Sequence, residues 1–313
     1  MALTFPEAIV VGLVQGVTEL FPVSSLGHSV LLPALIGGRW AQDLDVSAPE
    51  SPYLAFIVGL HVATALALLV FFRADWVRIV RGLLTSVRDR RVSTPDQRLA
   101  WLLVLATIPV GISGLLLEHT FRTVLGRPIP AAVFLMVNGV LLLLGERLRR
   151  SPAPVERPVA VGATAAGSPL PPSTVDADAD VAADHRLAGV GLGTAMLVGS
   201  SQILALLPGI SRSGVSMVGG LVRGLSHEDA ARFSFLLATP VILAAGVLKL
   251  PDLAGPLGDG VRGQVLVGSI VSGLGAYAAV RWLTRWFTTR TLTPFGIYCL
   301  LAGAAGLVVL TAR

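Results

Sequence analysis

In the stretch Gln15-Gly16-Val17-Thr18-Glu19-Leu20-Phe21-Pro22-Val23-Ser24-Ser25-Leu26-Gly27-His28, an acid, two adjacent hydroxyls and an imidazole interrupt an otherwise apolar run. Gln15 and Glu19 are four residues apart and share one helix face. A charged carboxylate at membrane depth costs ~2.5 kcal/mol or more, so Glu19 should face a cavity or a cation, or else stay neutral and hydrogen-bonded. The Gln15 amide oxygen suits a hard cation such as Mg²⁺ or Ca²⁺, and it suits helix packing equally well. Pro22 should break the helix. Ser24 is then the expected cap of the next one, which leaves the Ser25 hydroxyl for nucleophilic attack or phosphate contact. His28, three residues on, shares the face of Ser25 and would be its base. His61 lies inside the following apolar span and is either a partner that supports the site from behind or a packed imidazole, with packing favoured.

A second polar island, Leu207-Pro208-Gly209-Ile210-Ser211-Arg212-Ser213-Gly214, supplies a cation among hydroxyls and glycines. A guanidinium in apolar surroundings needs an anion, and its planar fork matches a phosphate. Gly209 and Gly214 let the backbone approach a ligand closely. Ser211, Ser213 and Ser216 offer further hydroxyls, and the N-terminus of a helix over 215–222 adds amide donors. The alternative is a structural pair between Arg212 and Glu19, because buried charges are paired.

The elements that must position these islands are membrane spans. The chain has 313 residues, of which 53% are hydrophobic and only 14% charged, against roughly 25% charged in soluble domains. Basic residues sit between apolar runs with few aromatic neighbours, which argues against nucleic acid as a partner. The lone Cys299 excludes a disulfide framework. No basic residue precedes Arg39, so the first apolar segment is expected to be retained.

Thr4-Phe5-Pro6-Glu7 reads as a capping box. The pieces 7–21 and 25–37 are each short of the ~20 residues that a span requires, so 4–37 is expected to dip in and return. Spans follow at 53–72, 99–117 and 131–145. A Pro, Ala, Ser and Asp-rich segment, 146–186, has the composition of a disordered cytoplasmic linker. The second half repeats the plan, with a re-entrant pair over 187–224 and spans at 231–250, 263–282 and 294–311. With both islands re-entrant from opposite faces, 17 basic residues fall on one side and 6 on the other, and the richer side is cytoplasmic. The expected fold is therefore an all-α polytopic membrane protein. It is an inverted-topology repeat in which residues 1–145 and 187–313 each form a re-entrant helix pair plus three transmembrane helices.

Gln15-Gly-Val-Thr-Glu19, Pro22-Val-Ser-Ser25 with Gly27-His28, and Pro208-Gly-Ile-Ser-Arg-Ser-Gly214 resemble the motifs of the undecaprenyl-diphosphate phosphatases of the bacitracin-resistance type. Phe233-Ser-Phe-Leu-Leu-Ala-Thr-Pro240 is similar as well, and the likeness covers nearly everything except 150–186. The resemblance implies hydrolysis of a polyprenyl diphosphate, C55-PP, to the monophosphate carrier of cell-wall synthesis. It implies a multi-pass protein of the bacterial plasma membrane, in contact with its lipids, with a site open to the outer (periplasmic) side. It also implies a divalent cation, Mg²⁺ or Ca²⁺, held by Glu19 with Gln15. Ser25 would be the nucleophile and His28 would assist proton transfer. Arg212 would clamp phosphate, with Ser211, Ser213, Ser216 and Gly209 around it. Gln15 stands where a second acid is common, and Leu26 replaces a frequent Thr or Ser. A homodimer is one assembly the reading allows. The rival readings are a lipid-phosphate transporter built on the same repeat and a non-catalytic lipid-binding membrane protein.

Overall fold

The computed structural model describes residues 3–44, 52–149, 172–254 and 260–312, and among them every regular element is helical. The helices are α1 (Phe5–Leu20), α2 (Ser25–Ile36), α3 (Gly38–Asp43), α4 (Pro52–Phe71), α5 (Arg73–Asp89), α6 (Pro95–Leu125) and α7 (Pro128–Leu148). From residue 172 onward come α8 (Pro172–Ala188), α9 (Leu192–Ser201), a 3₁₀ turn (Gln202–Leu206), α10 (Arg212–Val222), α11 (His227–Ala254), α12 (Arg262–Trp286) and α13 (Thr293–Thr311). Among the described residues, five helices are long and apolar enough to cross a membrane, and α4 holds 20 apolar-rich residues. The chain is a multi-pass, all-α membrane protein.

The capping box opens α1 as expected. Thr4 donates to Glu7 Oε2 from its amide and hydroxyl at 2.8 and 2.7 Å, and Glu7 N donates back to Thr4 Oγ1 at 3.4 Å. At Phe21 the backbone turns extended, and α2 restarts from Ser24, whose hydroxyl accepts from Gly27 N at 3.2 Å. The broken hairpin α1–α2 is held by α12. A methyl group on Gly12 would lie 2.5 Å from the Gly268 carbonyl oxygen, and one on Gly16 would lie 2.2 Å from that of Ser272. Such small-residue seams let membrane helices associate by close backbone contact, where lipid offers no hydrophobic drive. The second broken hairpin, α9 to α10, packs on α6 and α7, and the two tips meet beside the middle of α7.

One expectation, the linker, needs correction, and two helices extend beyond the expected spans. The arginine-rich stretch after the first span is helical. It forms α5, which leaves α4 at 88° with apolar and basic residues segregated. The helix after the second span continues to Leu125 and so absorbs Arg122. Part of the segment assigned to a disordered linker is folded. Residues 150–171 lie outside the described residues, but 172–186 belong to α8. Its Asp184 is buried and bonded to Arg78 of α5 at 2.6 Å and Arg232 of α11 at 2.8 Å, while Asp180 adds a 2.7 Å bond to Arg232. Asp180 and Asp184 are four apart and present one acidic face to cations far away in sequence, which composition alone cannot reveal. Asp75 of α5 shares this cluster, with Arg78 at 2.7 Å and Arg232 at 3.1 Å. Burial, with Asp184 adding to it, pushes its carboxyl up to about 6 against the pull of the two guanidiniums.

Candidate active site

Glu19 sits on the last turn of α1 and Arg212 on the first turn of α10, and the touching tips bring them together. Arg212 Nη2 donates to Glu19 Oε1 at 2.5 Å, and its Nη1 donates to the Ala238 carbonyl of α11 at 3.1 Å. The other carboxylate oxygen, Oε2, accepts from Gln15 Nε2 at 2.9 Å and from the Ser25 hydroxyl. Acid, hydroxyl and guanidinium therefore share one carboxylate, and the Glu19 side chain is only 5% exposed.

The imidazole of this cluster is His61, not His28. His61 Nε2 lies 3.2 Å from Glu19 Oε2, and its Nδ1 donates to the Ile57 carbonyl at 2.8 Å. A carbonyl and a carboxylate only accept, so the Nε2 contact needs one further proton between His61 and Glu19. His28 is directed elsewhere. Its Nδ1 donates to the Ser24 carbonyl at 2.7 Å, and its Nε2 accepts from the Tyr298 hydroxyl at 2.7 Å, ring stacked on ring. It has no hydrogen bond to Ser25. The i+3 relation placed the pair on one face, but the bond to the Ser24 carbonyl turns the ring along the helix.

The serines of the second island hold the tips in register. Ser211 Oγ accepts from Gly214 N at 3.1 Å, which caps α10, and it donates toward the Phe21 carbonyl at 3.4 Å. Ser213 Oγ donates to the same carbonyl at 3.1 Å. Ser216 Oγ bonds to the Arg212 carbonyl at 2.8 Å and to Ser234 Oγ at 2.6 Å. All three are buried and committed to protein partners, so the contribution they make here is to placing Arg212. Gly209 has φ of +113°, and a methyl group there would lie 2.5 Å from the Ala131 carbonyl oxygen. Only glycine fits that turn.

Asn138, from the middle of α7, was not singled out from the sequence. Its Nδ2 donates to the Pro22 carbonyl and its Oδ1 accepts from Ser211 N, both at 3.0 Å. One fully buried amide thus joins both tips. The signal was available, since an asparagine inside an apolar span is costly without partners.

The donor set can be weighed against a divalent cation. Among the described residues no group of three or more His, Cys, Asp or Glu side chains is placed to hold a metal. Gln15 Oε1, however, is buried without a hydrogen-bond partner beside Glu19. An orphaned amide oxygen next to a carboxylate fits a hard cation that completes its shell with phosphate oxygens and water.

Comparison with known proteins identifies the family of the chain. The family model described as bacitracin resistance protein BacA matches residues 8–305. The chain belongs to this family. It is 65% identical to an undecaprenyl-diphosphatase of Mycolicibacterium paratuberculosis, over 99% of both chains. It is 58% identical to undecaprenyl-diphosphatase 1 of Frankia casuarinae, over 96% of both, and 41% identical to undecaprenyl-diphosphatase 2 of Chromobacterium violaceum, over 96% and 97%.

Proposed function

We propose that this chain is an undecaprenyl-diphosphate phosphatase that hydrolyses the lipid diphosphate to undecaprenyl phosphate and inorganic phosphate. The observation that carries the reading is the shared carboxylate, with Glu19 bonded at once to the Ser25 hydroxyl and the Arg212 guanidinium across the two tips. Full-length relatives named for this activity support it.

In the resting cluster Arg212 and Glu19 neutralise each other. An incoming diphosphate competes for the guanidinium, whose fork suits two phosphate oxygens, while the Ala238 carbonyl keeps hold of Nη1. Glu19, released from Arg212, takes the proton of the nucleophile, which is Ser25 or a water held in its place. The new oxygen–phosphorus bond forms as the bridging oxygen departs with the lipid monophosphate. If Ser25 attacks, water then cleaves the phosphoserine. Arg212 balances charge on the transferring group throughout, which is where an enzyme gains most in phosphoryl transfer. His61 steadies Glu19 and can return a proton to the leaving oxygen. A divalent cation on Gln15 Oε1 and Glu19, when bound, would neutralise further phosphate charge.

The host membrane is read as the bacterial plasma membrane, with the site opening on the side away from α5 and α8. The supporting fact is the excess of basic residues on the α5 side. The test is phosphate release from C55-PP in detergent, with and without chelator. Wild-type protein should turn over, Arg212→Ala and Glu19→Ala should be slower by about 100-fold or more, and turnover near the wild-type rate by a folded Arg212→Ala would overturn the assignment.

A further inference from the structure

At the end of α7, well away from Glu19, the loop between α12 and α13 and the start of α11 enclose a crevice of about 300 Å³. Arg149, Arg290, Thr288, Thr289, Thr291 and His227 line it. Arg149 is 11 residues beyond Asn138, which places the crevice about 16 Å along the helix axis from the tips at a rise of ~1.5 Å per residue.

The acids that border this crevice are hydrogen-bonded or paired elsewhere, although the Arg149 charge still acts on Glu146, three residues before it. Glu146 accepts from His227 Nε2 at 2.8 Å and from Leu292 N at 2.6 Å. Glu228, which also borders the crevice, pairs with Arg186 at 3.4 Å. The nearby acids are thus engaged by other groups, and among the described residues neither Arg149 nor Arg290 has an ion-pair partner. That sets them apart from Arg78, Arg186, Arg212 and Arg232, each of which meets a carboxylate.

The crevice is also held in shape. The Arg290 guanidinium lies over the Trp286 ring at 5.7 Å, Arg290 N donates to the Trp286 carbonyl at 2.9 Å, and Trp286 Nε1 donates to the Thr291 carbonyl at 3.3 Å. Stacking uses the face of the guanidinium and leaves its in-plane N–H groups for an acceptor. The Thr289 hydroxyl has no partner among the described residues, and that of Thr291 keeps its hydrogen. Two guanidiniums with free edges and two hydroxyls still able to donate form a donor set for a tetrahedral oxyanion. Trp282, half-exposed and stacked on Trp286 at 4.8 Å, is of the type that settles at headgroup depth.

We propose that this crevice is a second phosphate site, separate from the catalytic cluster, which takes a phosphate group with at least three unesterified oxygens. The group can arrive as free inorganic phosphate or on a lipid headgroup at the membrane edge. The inference stands on the crevice alone and does not depend on the proposed reaction.

The experiment uses the full chain in two backgrounds, wild type and Arg212→Ala, the latter to silence the catalytic anion site. Inorganic phosphate is titrated against Trp fluorescence and calorimetry in detergent. In a parallel arm, the protein is placed in phosphatidylcholine nanodiscs with or without phosphatidic acid. Saturable binding in both backgrounds is expected, weakened at least about tenfold by Arg149→Gln with Arg290→Gln, with C55-PP turnover unchanged in the wild-type background. Partial recovery by the two Arg→Lys changes excludes a folding artefact. Binding in the phosphate arm alone identifies a free-phosphate site, and binding in the phosphatidic acid arm alone identifies a headgroup site. Absence of binding in both arms, or binding that the glutamine pair leaves untouched, would overturn the proposal.

Discussion

A methyl group on Gly27 would sit 2.9 Å from the Cα of Gly209, so the two hairpin tips touch through a pair of glycines. Gly27→Ala must therefore push the tips apart, and with them Ser25 and Arg212. Turnover of C55-PP should fall at least about tenfold, while strain costs stability only about 1–3 kcal/mol. Steady-state kinetics beside thermal unfolding in detergent would check this. A variant with normal kcat would show that tip contact does not set the geometry.

Arg212 and Glu19 should respond differently to conservative change. Arg212→Lys keeps the charge but loses the fork, so it should retain more activity than Arg212→Ala, which should lose about 100-fold or more. Glu19→Gln keeps the shape and removes the base, and it should be nearly as damaging as Glu19→Ala. Phosphate release at saturating substrate separates these cases.

Asn138→Ala leaves the Pro22 carbonyl and Ser211 N without their partner. Each buried group left unpaired costs about 1–3 kcal/mol. Lowered thermal stability together with lowered kcat is expected. Asn138→Asp, which keeps one acceptor but adds a charge, should do no better.

His61 and His28 should part company in kinetics. Because His61 meets Glu19 directly, His61→Leu should lower kcat, and His61→Gln, able to donate to the same carboxylate, should recover part of it. His28→Phe removes bonds to Ser24 and Tyr298 but none to Ser25, so Tyr298→Phe should reproduce a share of its effect. An effect of Tyr298→Phe on kcat equal to that of His61→Leu would contradict this division.

Asp75 gives a stability slope with a definite sign. Its folded carboxyl, near 6, lies above the ordinary range, so between about pH 4 and pH 6 the folded state holds a proton that the unfolded chain has lost. Stability from this group therefore falls as pH rises through that window, and the full cost is present above it. Asp75→Asn should flatten the slope of melting temperature against pH between 4 and 6, whatever it does to the mean.

Much of the site was legible because polar residues in lipid-facing sequence are expensive. Glu19, Ser25 and Arg212 stood out for that reason, and they meet. His61 and Asn138 obeyed the same rule but stood alone in long spans, without a neighbouring motif to draw attention to them. The span positions followed from length and apolarity, and Thr4 to Glu7 announced the first helix. What local sequence could not show was pairing across distance. Asp184 finds Arg78 and Arg232 only after the chain has folded back, so α8 looked like linker. His28 was misplaced because sharing a face with Ser25 does not fix which way the ring turns.

The ion pair between Glu19 and Arg212 spans 193 positions of the chain. During synthesis the acid therefore enters the bilayer long before its cation exists. An unpaired charged residue at the centre of a helix costs ~2.5–3.5 kcal/mol on insertion scales. Until then the acid can stay protonated or share a proton with His61, which follows it by only 42 residues. The partners of Glu19 are therefore completed in order of synthesis, with Gln15, Ser25 and His61 present first and the Arg212 guanidinium last.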